Sequence, residues 1–119
     1  EESIMSIGYK LLEFQKTIEN GYDQKLFDEL YHDDYQGFSN SQQQVVTKDD
    51  IRQLMEACHG VKNHGCQVLY ENADVLVIEF KVTFPANSAR AEGSYTIVEF
   101  NDLKDGKIVS HRSGMTKTS

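Results

Sequence analysis

Two runs near the end of the chain, Tyr95-Thr-Ile-Val-Glu-Phe100 and Lys107-Ile-Val-Ser-His-Arg-Ser-Gly114, read as paired strands joined by a tight connection over Asn101 to Gly106. Just upstream, Val75 to Phe84 places Leu76, Ile78, Phe80, Val82 and Phe84 at alternate positions, the pattern of a strand with one buried face. Pro85-Ala-Asn-Ser88 breaks that strand, and the next runs from Ala89 to Phe100. Cys66 to Tyr70 with a turn at Asn72-Ala-Asp74 adds a fourth. The second half of the chain therefore reads as an antiparallel meander of four strands.

The first half has a different period. Ile4, Ile7, Leu11, Phe14 and Ile18 form one helical stripe over Ile4 to Asn20, and Gly21 suits the position past the helix end. Met5, Tyr9 and Leu12 make a second short apolar strip beside Glu13 and Lys16, open to a partner, a bound molecule or ordinary packing. Asp23 is placed to cap a shorter helix running to about Tyr31. Tyr35 to Ser39 and Val45-Val46 read as short strands around a polar loop. Thr47-Lys-Asp-Asp50 reads as a capping box opening a helix with Ile51, Leu54, Met55 and Cys58 on one face, ending at Gly60. Helices first and strands after give an α+β fold, expected as one domain over residues 1–119.

Charge and composition narrow the function classes. A net charge of −7 with only three scattered arginines, Arg52, Arg90 and Arg112, argues against nucleic acid. No run approaches the ~20 apolar residues of a membrane span. The opening Glu1-Glu-Ser-Ile lacks the basic and apolar regions of a signal peptide and is read as a trimmed chain, which makes the expected location cytoplasmic. Two cysteines, Cys58 and Cys66, are then expected as reduced thiols. Cys58, His59, His64 and Cys66 lie within nine residues but match no common zinc spacing, so no metal and no cofactor is expected.

The element order, together with Asn20-Gly-Tyr-Asp23, Leu30-Tyr-His-Asp-Asp-Tyr35, Thr47-Lys-Asp-Asp-Ile51 and Asp105-Gly-Lys-Ile-Val109, resembles the NTF2-like superfamily, and within it the SnoaL-like (cystatin-like fold) proteins. The resemblance implies a curved sheet wrapping a long N-terminal helix into a cone with an open end. It implies a ligand in that cone and pairing into homodimers. Isomerases, cyclases, dehydratases and plain binding modules share the fold, so reaction type does not follow from it. The ketosteroid isomerase branch can be checked position by position: its catalytic carboxylate falls near Ser39, its oxyanion-hole Tyr near Glu13 and its oxyanion-hole Asp near Thr96. All three residues depart from that apparatus. The ending His111-Arg-Ser-Gly114 also resembles the close of the association domain of calcium/calmodulin-dependent kinase II, a ring-forming module, in which Arg90 and Arg112 would match pocket arginines.

The candidate chemistry follows from these placements. His111 beside a strand carboxylate would form an acid–base pair that works near neutral pH, and His111, Glu92 and Glu13 are the candidate catalytic groups. Tyr9, Tyr35, Ser39, Arg90, Tyr95 and Arg112 are the candidate ligand contacts. On the central strand, Tyr95 and Glu99 share one face and Glu92 takes the other. His111 and Arg112 are neighbours, so only one faces the cavity unless a bulge intervenes, and the kinase-hub resemblance favours Arg112. An Arg–Glu pair within the sheet would explain Arg112 equally well, and aromatic residues at such positions are more often core than ligand cage. The expected function is a homodimer that binds a small apolar or weakly acidic molecule, with isomerase-, cyclase- or hydrolase-type chemistry. The alternative is a non-catalytic oligomerisation or regulatory module.

Overall fold

A computed structural model describes residues 6–39, 43–58, 60–88 and 91–119, apart from the Asn20 and Ser39 side chains. The order is α1 (Ile7–Thr17) with a 3-10 turn (Ile18–Asn20), α2 (Gln24–Leu30), β1 (Gln36–Ser39), β2 (Gln44–Thr47), α3 (Lys48–Ala57), β3 (Lys62–Glu71), β4 (Val75–Phe84), β5 (Gly93–Lys104) and β6 (Lys107–Lys117). Strands β3 to β6 form an antiparallel sheet in sequence order, and β1 and β2 pair separately. This is the expected α+β architecture.

Capping chemistry sets the helix starts. Ser6 Oγ accepts from the Tyr9 N–H at 3.0 Å, so α1 begins at Ile7 and is shorter than the Ile4 to Asn20 helix the stripe predicts. Asp23 Oδ1 accepts from the Leu26 N–H at 3.1 Å and opens α2. At α3 both halves of the capping box form: the Asp50 N–H donates to Thr47 Oγ1 at 3.2 Å, and the Thr47 N–H donates to Asp50 Oδ2 at 2.9 Å.

The last two strands run further than expected, and the connection between them is tighter. Asn101 lies inside β5, where its Nδ2 donates to the Leu76 carbonyl at 3.1 Å, so a residue with turn character serves as a buried strand partner. The turn contracts to Asp105-Gly106, both at positive φ (54° and 76°), the conformation a two-residue hairpin requires.

Helices α1 and α2 cover the inner face. Leu11, Phe14, Phe27, Leu30, Leu76, Ile78 and Ile108 have no exposed surface. Full burial of each such side chain is worth roughly 1.5–3 kcal/mol. Phe27 is central, stacked on Tyr31 at 4.8 Å and tilted against Phe14 at 6.0 Å. No helix among the described residues is long and apolar enough to cross a membrane.

Candidate functional site

Beyond this packed end the inner face opens into a cavity of about 120 Å³ between the sheet and α3. Ile18, Ile51, Met55, Phe80, Val82 and Ile97 supply its apolar wall. Leu54 and Met115 also line it and are 39% and 36% exposed, which places the opening between α3 and the end of β6. The polar groups reaching it include Gln15, Asn63, Glu99, His111 and Ser113.

A bulge decides which residue of the His111-Arg112 pair enters. Next to the turn, Leu103 faces Ile108 and Lys104 faces Lys107, but Asp102 faces Ser110, so Val109 is an extra residue in β6. Every later pair is shifted by one. Asn101 faces His111, Phe100 faces Arg112 and Glu99 faces Ser113. His111 thus joins the inner face with Glu99 and Asn101, while Arg112 sits exposed on the outer face beside Phe100. In a register without the bulge, Arg112 would lie opposite Glu99. The side suggested by the kinase-hub ending is therefore corrected.

His111 and Glu99 are diagonal neighbours across β5 and β6, within reach for long side chains. On the other side His111 meets Tyr35, whose Oη lies 2.5 Å from Nδ1, with ring centroids 5.6 Å apart. Gly37 makes room for that phenol, since a Cβ there would collide with Tyr35 Oη. Burial, with the Glu99 charge adding to it, raises the Tyr35 pKa, so the phenol keeps its proton. Whenever the imidazole is neutral, this phenol can donate to Nδ1, which leaves the imidazole proton on Nε2.

Glu99 is the one carboxylate lining the cavity among the described residues, and burial raises its pKa. The His111 charge and the Asn101 amide pull it back in part. Glu99 is only partly buried as a residue, yet its Oε1 is closed from solvent and has no hydrogen-bond partner among the described residues. The Tyr31 phenol, also on the wall, is held protonated by burial, with Glu99 and Tyr35 reinforcing the effect. A carboxyl shifted upward beside an imidazole is suited to taking and returning a proton.

The other expected site residues lie elsewhere. Glu13 is on the outer side of α1, paired with Lys16 at 3.1 Å. Tyr9 is 49% exposed, and the inner side of that helix presents Gln15 instead. Glu92 is exposed just before β5. Tyr95 is buried against Phe84 at 5.4 Å and donates to the Ala91 carbonyl at 2.8 Å, a packing role outside the cavity lining. Arg90, His59 and Met5 lie outside the described residues, as does the side chain of Ser39. Cys66 faces inward, and burial pushes its thiol pKa up to about 12, which makes it a poor nucleophile. His64 is displaced by a bulge in β3 and bonds through Nε2 to Thr83 Oγ1 at 2.7 Å. Among the described residues no three metal-binding side chains converge.

Residues 13–111 match the model of the SnoaL-like domain. The chain belongs to the SnoaL-like family. Solved structures agree on the fold. An NTF2-like protein from Anabaena variabilis superposes with a TM-score of 0.71 at 16% identity, covering 94% of this chain and 88% of its own. A proposed SnoaL-like polyketide cyclase from Mesorhizobium loti is 23% identical with a TM-score of 0.57, covering 92% and 99%. The proposed hydroxylase AclR from Streptomyces galilaeus is 16% identical with a TM-score of 0.64, covering 93% and 77%. At these identities the likeness to this SnoaL-like chain shows the fold alone. No curated protein matches the sequence.

Proposed function

We propose that this SnoaL-like protein binds a small, mainly apolar molecule in the cavity under α3 and moves a proton on it through Glu99 and His111. The observation that carries this reading is the Tyr35–His111–Glu99 arrangement at the polar end of an otherwise apolar cavity. Tyr35 fixes the imidazole tautomer, and the apolar wall keeps the Glu99 carboxyl basic enough to accept a proton from a weakly acidic C–H or O–H. The same carboxyl can return that proton at a different atom, which is the core of an isomerase- or cyclase-type reaction. The proposed cyclase among the solved structures is consistent with this class and adds no more than that.

The test is α-proton exchange of 2-tetralone in D2O followed by proton NMR. The wild-type protein is expected to accelerate exchange, and Glu99→Gln to lose about 100-fold of that acceleration. No acceleration over buffer would overturn the proton-transfer reading.

The outer face supports a homodimer. Phe100 is 50% exposed there, with Val98 and Val77 on the same face. Light scattering is expected to report a dimer that Phe100→Glu dissociates. A ring larger than a dimer, with no exchange activity, would instead favour a non-catalytic assembly module. The expected cytoplasmic setting fits two cysteines that remain thiols.

A further inference from the structure

Besides Glu99 Oε1, a second buried polar atom on this cavity lacks a partner among the described residues: Asn63 Nδ2. Its orientation is fixed. Asn63 Oδ1 accepts from the Gly65 N–H at 2.9 Å, inside the bulge that displaces His64, so the amide nitrogen is the group left over. The two orphans sit at opposite ends. Asn63 on β3 pairs with Val82 and Glu99 on β5 pairs with Ile78, both partners lying on β4 between them. Four residues along a strand are about 13 Å, and two strand spacings add about 10 Å across. Between the ends lie Phe80, Val82 and Ile97, and no Lys or Arg lines the cavity among the described residues.

We propose that the cavity selects an elongated, uncharged molecule held at both ends, with a hydrogen-bond acceptor such as a ketone carbonyl at Asn63 Nδ2 and a hydroxyl or acidic C–H at Glu99. The claim rests on the reading that this cavity is the binding site, and extends it to ligand class. A buried donor or acceptor without a partner is costly, so a ligand that supplies both missing partners recovers that cost. A ligand lacking the acceptor leaves Asn63 Nδ2 unpaired. An anionic ligand meets the Glu99 carboxyl with no Lys or Arg among the described residues of the cavity wall to offset it, and is disfavoured.

The probes are 4-(4-hydroxyphenyl)butan-2-one and its hexan-2-one homologue, each compared with the alkylphenol of equal chain length by isothermal titration calorimetry. At least one ketone is expected to bind the wild-type protein about tenfold more tightly than its alkylphenol, the size of one well-made hydrogen bond to a buried donor. Asn63→Leu should erase that preference while leaving the alkylphenol within about twofold. Asn63→Asp keeps the acceptor for Gly65, so it separates a folding defect from loss of the donor, and it too should erase the preference. Equal affinity of ketones and alkylphenols in the wild type, or a preference that survives both variants, overturns the two-ended ligand alone. Failure of every probe to bind overturns the cavity reading with it.

Discussion

The two hairpins that share β5 behave differently. Strands β4 and β5 keep one register from Val75 opposite Asp102 to Phe84 opposite Gly93, and every alternate residue of β4 from Leu76 to Phe84 is buried as its sequence pattern indicates. Strands β5 and β6 slip by one residue at Val109, and beyond it the faces of β6 are exchanged. The unbroken pair builds core. The bulged pair turns a titratable side chain into a cavity, as bulges beside functional sites tend to do. Asn63, next to a bulge in β3, follows the same pattern at the other end of the cavity.

The strongest way to break this contrast is to exchange the two neighbouring residues, His111→Arg together with Arg112→His. The bulged register would then turn a guanidinium into the cavity and the imidazole outward. Proton exchange should fall to background, and chemical denaturation should show a loss of roughly 3 kcal/mol from burying a guanidinium and breaking the Tyr35 contact. Retained exchange would show that the bulge does not select the inward residue. In the unbroken pair, Ile78→Ala should cost about 2–5 kcal/mol, because Ile78 is fully enclosed and the packed end leaves little room to collapse. Urea titration checks it, and a cost under 1 kcal/mol would contradict tight packing there.

These two changes also mark what was legible in the sequence. Leu76 to Phe84 alternate cleanly, and the Thr47 and Asp23 caps are chemical signals with local causes, so the elements and fold class follow from the residues. The inward side of β6 depends on one inserted residue that costs little and carries no compositional signature. Alternation put Glu99 on one face with Tyr95, but the sequence reading chose Glu92, on the other face, as the strand carboxylate, and the cavity takes Glu99 instead. Glu13 and Tyr9 were expected at the mouth because α1 shows two apolar strips. The structure gives the inner side to Leu11, Phe14 and Gln15. Asn63 carried no signal at all, because its importance lies in a partner it lacks.

Glu99→Gln sharpens the same contrast from the side of stability. A carboxyl whose folded pKa is raised binds its proton more tightly in the folded state, so its contribution falls as pH rises through that value. The penalty is fully present above it. The variant should therefore melt roughly 2–5 °C higher at pH 8 and show no gain near pH 4, where the carboxyl is protonated in both states. Differential scanning calorimetry at the two pH values checks the sign. The smallest effect is expected outside: Arg112→Ala should change stability by under about 0.5 kcal/mol and leave exchange untouched, as an exposed outer-face residue.

The most direct test of the account is a carbon-13 NMR titration of the Glu99 side-chain carboxyl in the wild-type protein and in His111→Ala. The midpoint is expected above the ordinary glutamate value of 4.5, and higher still once the His111 charge that favours ionisation is removed. A midpoint at or below 4.5, unmoved by His111→Ala, would contradict a buried carboxyl working beside that imidazole.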